Sequence, residues 1–213
     1  MDFKGIEIKR LGHAGFLLST GEVRVYIDPF KIAFDLDKAD IVLITHDHYD
    51  HCSIEDIRKI VKDGTVVIMP AGCQSKVARL GARLEMKIIE PGKQIEVGEI
   101  KVIGVLAYNI NTHFHPREEN WLGYVLEIGG IRAYHAGDSD FIPEMSNLGK
   151  IDVAFLPVGG TFTMRAEEAV KAALAIKPEL AVPMHYDLSE GAKEDALRFV
   201  ELCKKEGIRA EIL

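Results

Sequence analysis

The segment His-Asp-His-Tyr-Asp-His at positions 46–51 constrains the fold of this 213-residue chain more than any other feature. It directly follows the apolar run at 41–44, which is typical of a strand that is covered on both faces. His46 and His48 alternate along the extended end of that strand, and Asp50 keeps their phase, so all three side chains can point to the same side. Imidazoles and carboxylates packed this closely predict a metal site at the end of a buried strand.

His51 follows directly at the turn, where the pair Asp50-His51 can face a second ion about 3.5–4 Å from the first, as in two-metal hydrolytic sites. This set of nitrogen and oxygen ligands suits one or two zinc ions (Zn2+), with Mn2+ and Fe2+ as alternatives. Zinc lowers the pKa of a bound water to about 7 and so supplies a nucleophile near neutral pH. The segment therefore indicates a metal-dependent hydrolase that acts without a serine or cysteine nucleophile.

All eight histidines fall in predicted loops or at predicted strand ends. Histidines with purely structural roles would be more scattered, whereas ligands concentrate where strands deliver side chains to one edge of a sheet. The distribution therefore predicts a shared site, with His135 hydrogen-bonded beside the ligands rather than binding metal itself. The histidines outside the 46–51 segment are His13, His113, His115, His135 and His185.

The charge balance is acidic, with 26 lysines and arginines against 33 aspartates and glutamates and a net charge of −7. It argues against a general nucleic-acid binder and against a basic membrane-surface protein. The first ten residues alternate apolar and charged side chains, unlike a signal peptide, and apolar runs elsewhere are far shorter than the ~20 residues of a membrane-spanning helix. Three cysteines without CxxC spacing predict reduced thiols. We therefore expect a cytoplasmic protein with no membrane contact.

Hydrophobic patterning predicts two β-rich halves within a single domain over residues 1–213, the first half ending with a hairpin at 94–105. We expect an α/β fold in which two facing mixed β-sheets carry outer helices, a four-layer αββα sandwich. The predicted helices span 53–62, 74–80, 166–176 and 193–205. The predicted strands span 6–11, 16–19, 22–27, 41–44, 66–69, 87–89, 94–97, 100–105, 122–128, 131–134, 153–156, 180–182 and 210–213.

The chain resembles the metallo-β-lactamase superfamily, whose HxHxDH motif is matched by His46, His48, Asp50 and His51. The resemblance covers essentially the whole chain and looks closest to the small single-domain branch that includes ascorbate-phosphate lactonase-like proteins. It implies the four-layer sandwich and a hydrolase with one or two metal ions. Further matching segments are Leu-Gly-His-Ala-Gly-Phe at 11–16, Ile-Asp-Pro at 27–29, Ala-Gly-Asp-Ser at 136–139, Leu-Pro-Val-Gly-Gly-Thr at 156–161 and Pro-Met-His-Tyr at 183–186.

The same resemblance implies how the ligands divide between two ions. Two histidines, His113 and His115, qualify as the ligand from the middle of the chain; the Phe-His-Pro sequence at 114–116 favours His115, and His113 would then line the pocket. Asp50 would also orient the attacking water. The implied ligands are His46, His48 and the middle histidine for the first ion, Asp50, His51 and His185 for the second, and Asp138 as the bridging carboxylate.

Weaker signals concern the substrate. His13 begins a glycine-rich turn near the expected edge of the site, and Gly160 and Thr161 precede a helix whose N-terminal N–H groups could receive an anionic group. We therefore expect a small-molecule substrate with an ester, lactone, amide or phosphodiester bond, and we leave the oligomeric state open. The alternatives are a metal-dependent nuclease or phosphodiesterase, an iron-dependent redox enzyme and a metal-binding protein without catalysis. The acidic net charge counts against binding to nucleic acid.

Overall fold

The computed structural model describes residues 1–110, 112–187 and 192–213. The chain divides into two compact units, Met1–Glu90 and Pro91–Leu213. Each unit contains one mixed β-sheet with helices, which confirms the predicted α/β class with two mixed sheets. The prediction of a single domain stays a prediction.

The first unit contains a seven-stranded sheet in which the strands follow one another in chain order. The strands β1 to β4 pair antiparallel, because short turns connect them, and β4 to β7 pair parallel. The strand β5 is buried along its whole length, as its continuous apolar sequence predicts. The strands are β1 (Asp2–Phe3), β2 (Ile6–Gly12), β3 (Gly15–Ser19), β4 (Arg24–Ile27), β5 (Ile41–Leu43), β6 (Val66–Met69) and β7 (Glu85–Ile88).

The helix α1 (Ile54–Ile60) follows the histidine segment and is shorter than the predicted 53–62. It begins after Ser53, whose side chain accepts a hydrogen bond from the backbone N–H of Asp56, and it ends because Val61 is extended. Ile57 and Ile60 point into the core of this unit. The predicted helix at 74–80 forms as α2 (Gln74–Val77) with a 3-10 turn on either side, and it stops at Gly81 with a φ of 82°.

The second unit contains a six-stranded sheet with the order β13-β12-β11-β10-β9-β8 in the described residues. The strands β8 to β11 form an antiparallel meander, and β11, β12 and β13 pair parallel. The hairpin that we assigned to the first half therefore belongs to the second sheet, because β9 pairs with β10 along most of its length. The strands are β8 (Gln94–Val97), β9 (Ile100–Leu106), β10 (Leu122–Ile128), β11 (Ile131–His135), β12 (Val153–Pro157) and β13 (Leu180–Met184).

Two helices pack on each other in this unit, α3 (Ala166–Ile176) and α4 (Ala192–Lys205). The predicted bounds of α3 are confirmed, and those of α4 differ by one residue. The prediction of a strand at 210–213 was wrong. In place of a strand, Ala210 forms an isolated parallel bridge with Ala181. Within the described ranges, no helix has the length and apolar character needed to cross a membrane.

The parallel pairing of strands determines where the segments with candidate ligands lie. Because β4 and β5 are parallel, the residues that follow them lie at the same edge of the first sheet. The same holds in the second unit for the residues after β11 and β13, since β12 pairs parallel with both. Each sheet therefore gathers its own set of candidate ligands at the carboxyl ends of its strands.

Candidate metal centre

The first unit brings His46 and His48 together directly after β5. Nε2 of His46 lies 3.1 Å from Nδ1 of His48. Two nitrogens bound tetrahedrally to one zinc, at the usual bond length of about 2.0–2.1 Å, lie about 3.4 Å apart. The spacing of the two imidazoles is close to this value and is also a hydrogen-bond distance.

A buried carboxylate orients two histidines of this segment. Asp28, which follows β4, accepts a hydrogen bond from Nδ1 of His51 at 2.8 Å and another from the hydroxyl of Thr45 at 2.6 Å. The same hydroxyl lies 2.9 Å from Nδ1 of His46 and can accept its proton while donating to Asp28. Both imidazoles are thereby fixed in the tautomer that directs Nε2 towards a metal.

His13 and Asp50 form the other contact of the first unit. Nε2 of His13 lies 3.1 Å from Oδ2 of Asp50, and His13 is buried. One ligand atom from each of His13, Asp50 and His51 lies within 4.8 Å of the others. His13 has a φ of 50° and Asp28 a φ of 42°, a left-handed backbone that costs free energy in a residue with a side chain and that collects at functional sites.

The second unit gathers His115 and His185 around the carboxylate of Asp138. Oδ2 of Asp138 lies 3.4 Å from Nε2 of His115 and 3.0 Å from Nε2 of His185. All three residues are buried. If divalent ions are held by these imidazoles, the Asp138 carboxylate could neutralise part of their charge.

A side-chain network orients His115. Its Nδ1 donates to Oδ1 of Asn109 at 3.0 Å, and the amide of Asn109 donates to Asp140 at 3.0 Å. Asp140 also accepts from the backbone N–H of Ile110 at 2.8 Å. The neighbouring His113, our other candidate, is exposed, so the structure distinguishes the two histidines by burial and by contact.

The turn that carries His185 is tightly packed. His185 has a φ of 61°, and a Cβ added at Gly159 would clash with its carbonyl oxygen and would lie 3.0 Å from its Nδ1. Glycine is therefore required at position 159 for the backbone to approach the histidine. Gly160 has a φ of 77°, and Thr161 is exposed at the start of the loop before α3.

Trp121, His135 and Cys52 are not among the candidate ligands. Trp121 packs edge-on against His115 at a ring distance of 5.3 Å, and His135 ends β11 in the core. Cys52 is buried, as expected of a small core side chain, and a hydrogen bond with Cys73 lowers the pKa of its thiol while burial acts in the opposite direction.

The donor chemistry fits a metal. Imidazole nitrogens and carboxylate oxygens, most of them buried, are ligands of zinc, iron and manganese, and the other ring nitrogens of His46, His51 and His115 are held by hydrogen bonds. The residues that accept these hydrogen bonds were not predicted from the sequence. Asp28 stood within a matching Ile-Asp-Pro segment, which was a usable signal, whereas Thr45 and Asn109 carried none. The supporting partners are Asp28, Thr45 and Asn109.

Comparisons with known proteins extend over nearly the whole chain. The model of the Beta-lactamase superfamily domain matches residues 7–185. A UPF0173 metal-dependent hydrolase of Thermoplasma acidophilum is 35% identical over 202 residues, covering 90% of this chain and 88% of that protein.

Solved structures share the fold of this chain. The crystal structure of a proposed metal-dependent hydrolase from Parabacteroides distasonis has a TM-score of 0.86 and 32% identity, covering 97% of this chain and 92% of that one. CmlA, a diiron β-hydroxylase from Streptomyces venezuelae, has a TM-score of 0.76 and 18% identity, covering 100% of this chain and 53% of its own. This second likeness concerns the fold alone.

Proposed function

The chain belongs to the β-lactamase superfamily, and we propose that it is a metal-dependent hydrolase that cleaves an ester, lactone, amide or phosphodiester bond in a small molecule. The observation that carries the proposal is the orientation of the histidines. In both units, Nδ1 of a histidine is held by an acceptor, Asp28 for His51 and Asn109 for His115, as is usual for metal-binding imidazoles.

We propose the ligand set that the family motif implies. The 3.1 Å spacing of His46 and His48 supports their assignment to one ion. The position of Asp138 between His115 and His185 supports its role as the bridging carboxylate. The proposed ligands are His46, His48 and His115 for one ion, Asp50, His51 and His185 for the other, and Asp138 between them.

A bound divalent cation supplies a water of lowered pKa and positive charge that stabilises a developing oxyanion. Two side chains have roles beside the metal. Asp50 orients the attacking water, and His13 fixes the Asp50 carboxylate through its contact with Oδ2. Burial of the imidazoles excludes bulk water and strengthens each electrostatic contact.

Zinc is our first choice of metal and two ions our proposed stoichiometry. Because one protein of the same fold is a diiron β-hydroxylase, the fold does not by itself select zinc, and an iron-dependent redox enzyme is the second candidate. A nuclease would need a surface for nucleic acid, against which the net charge of −7 argues.

Elemental analysis of protein purified without added metal or chelating resin tests the proposal. We expect two zinc ions per chain in the unaltered protein, and partial loss in His48→Ala, His115→Ala and Asp138→Ala. His113→Ala is the matched control, since His113 is exposed two residues from His115. The loaded protein is then screened on lactones, esters and phosphodiesters. Iron in place of zinc would favour the redox enzyme, and the absence of stoichiometric metal after loading with zinc, manganese or iron would overturn the proposal.

A further inference from the structure

Three large apolar side chains of the second unit are exposed on two loops. Ile110 is 54% exposed, and Phe114 and Phe162 are each 47% exposed. The rings of Phe114 and Phe162 lie 4.7 Å apart at an interplanar angle of 82°, an edge-to-face pair. We call these two phenylalanines the apolar lip.

The apolar lip is attached to a proposed metal ligand by covalent and hydrogen bonds. Phe114 directly precedes His115. Asn109, which accepts the hydrogen bond from His115, also donates to the carbonyl oxygen of Phe162 at 3.2 Å. One amide therefore fixes both the imidazole and the loop that carries the second ring.

An exposed apolar residue needs no explanation when it stands alone. The apolar lip differs, because two rings from separate loops contact each other and one of them is next in sequence to the buried His115. Ligand sites commonly combine apolar walls with a few convergent polar groups. The apolar lip stands on the two loops that Asn109 connects to the candidate ligand His115.

We propose that the apolar lip binds the apolar acyl chain of the substrate, next to the bond that is cleaved. This inference rests on the proposed hydrolase function and narrows its substrates to acyl compounds with a medium-length or longer chain. Ile110, four positions before Phe114 in the sequence, is a further exposed apolar side chain.

Chain length is the direct test. Fully burying one CH₂ gains about 0.8 kcal/mol, or about fourfold in affinity, and a half-covered chain gains about twofold per CH₂. The probes are 4-nitrophenyl acetate and 4-nitrophenyl hexanoate, which differ by four CH₂ groups. In each, the oxygen of water bonds to the acyl carbon as the bond to 4-nitrophenolate breaks, which leaves the carboxylic acid and the coloured phenolate with its proton released to solvent.

For the metal-loaded protein, we expect kcat/KM for the hexanoate to exceed that for the acetate by about tenfold. Phe162→Ala and Phe114→Ala should reduce this ratio several-fold, and Phe162→Leu should retain part of it. Leu197→Ala is the control, because Leu197 is 57% exposed on α4 and lies outside the apolar lip. Thermal unfolding and metal content identify a variant that has failed to fold. In that case the ratio of kcat/KM values in the remaining two variants tests the proposal.

Calorimetric binding of hexanoate and acetate to the loaded protein separates this inference from the proposed function. If neither ester is cleaved but hexanoate binds several-fold more tightly than acetate, and Phe162→Ala removes the difference, the apolar lip stands and ester hydrolysis fails. If the esters are cleaved with the same ratio in every variant, the hydrolase stands and the apolar lip is overturned. A change of molecular mass in Phe114→Ala with an unchanged ratio would show that a second copy covers the rings, and would also overturn it.

Discussion

Nδ1 of His51 lies 2.8 Å from Oδ2 of Asp28, and both side chains are completely buried although 23 positions separate them in sequence. Asp28 also accepts hydrogen bonds from the backbone N–H of Thr45 at 2.8 Å and from its hydroxyl. A single carboxylate therefore orients His51 directly and His46 through Thr45.

Replacing Asp28 by Asn should lower the metal affinity, although the two side chains have nearly the same volume. The amide has one acceptor oxygen where the carboxylate has two, so at least one of the three donors loses its partner. We expect a 10- to 100-fold loss of metal affinity, measured by competition with a chromophoric chelator, and a loss of about 1–3 kcal/mol in the free energy of unfolding. Asp63→Asn, which alters an exposed ion pair with Arg83, should leave the affinity unchanged. Equal affinities in all three proteins would refute the orienting role.

Asn109→Leu tests the corresponding support of His115. Leucine has a similar size but cannot accept the Nδ1 proton of His115 or donate to Asp140. We expect a 10- to 100-fold lower metal affinity. Asn147→Leu, at an exposed position, is the matched control. An unchanged affinity in Asn109→Leu would mean that His115 is held by its packing alone.

Gly159→Ala should displace the turn that carries His185. The new Cβ would clash with the His185 carbonyl oxygen, which is backbone and cannot rotate away. We expect a loss of about 1–3 kcal/mol in stability from overpacking, together with reduced metal content. Gly72→Ala is the control, because its Cβ would meet Asp47 at an ordinary 3.8 Å. Chemical denaturation and elemental analysis of the two variants give the comparison, and similar results for both would contradict it.

Acid should remove the contribution of Asp56 to the stability of the fold. Asp56 lies in α1 and accepts hydrogen bonds from Ser53, from Lys59 and from the backbone N–H groups of residues 31 and 32. Burial tends to raise its pKa, but the hydrogen bonds from Lys59 and Ser53 hold the pKa below the ordinary 3.8. A carboxylate whose folded pKa is lowered stabilises the protein above its unfolded pKa, and this stabilisation is lost as the pH falls through the folded pKa.

Asp56→Asn should therefore be less stable than the unaltered protein at neutral pH, by about 1–3 kcal/mol. The difference should shrink on acidification below pH 3.8. Urea denaturation between pH 2 and pH 7 measures it, with Glu55→Gln on the exposed side of the same helix as the reference. A difference that stays constant over the whole range would show that the charge of Asp56 plays no part.

Local sequence patterns predicted most of the elements. The apolar spacing at 166–176 predicted the helix α3, and two glycines predicted the hairpin of β10 and β11. In both, the backbone hydrogen bonds join residues that are near in sequence. Non-local pairing was less predictable. The hairpin of β8 and β9 was assigned to the wrong half, because its membership depends on the pairing of β9 with β10 across the loop that precedes β10.

The family and the α/β class could be predicted from the amino-acid sequence, and so could the candidate ligands at 46–51, since a strand followed by closely spaced histidines and aspartates is a local pattern. The acceptors that hold those histidines could not be predicted in this way, because they come from distant parts of the chain. The contact between Asp28 and His51 arises because β4 and β5 pair parallel, which brings the residues after both strands to one edge of the sheet. A hydrogen bond requires its atoms within about 3 Å, and no spacing along a chain fixes such a distance until the sheet has formed.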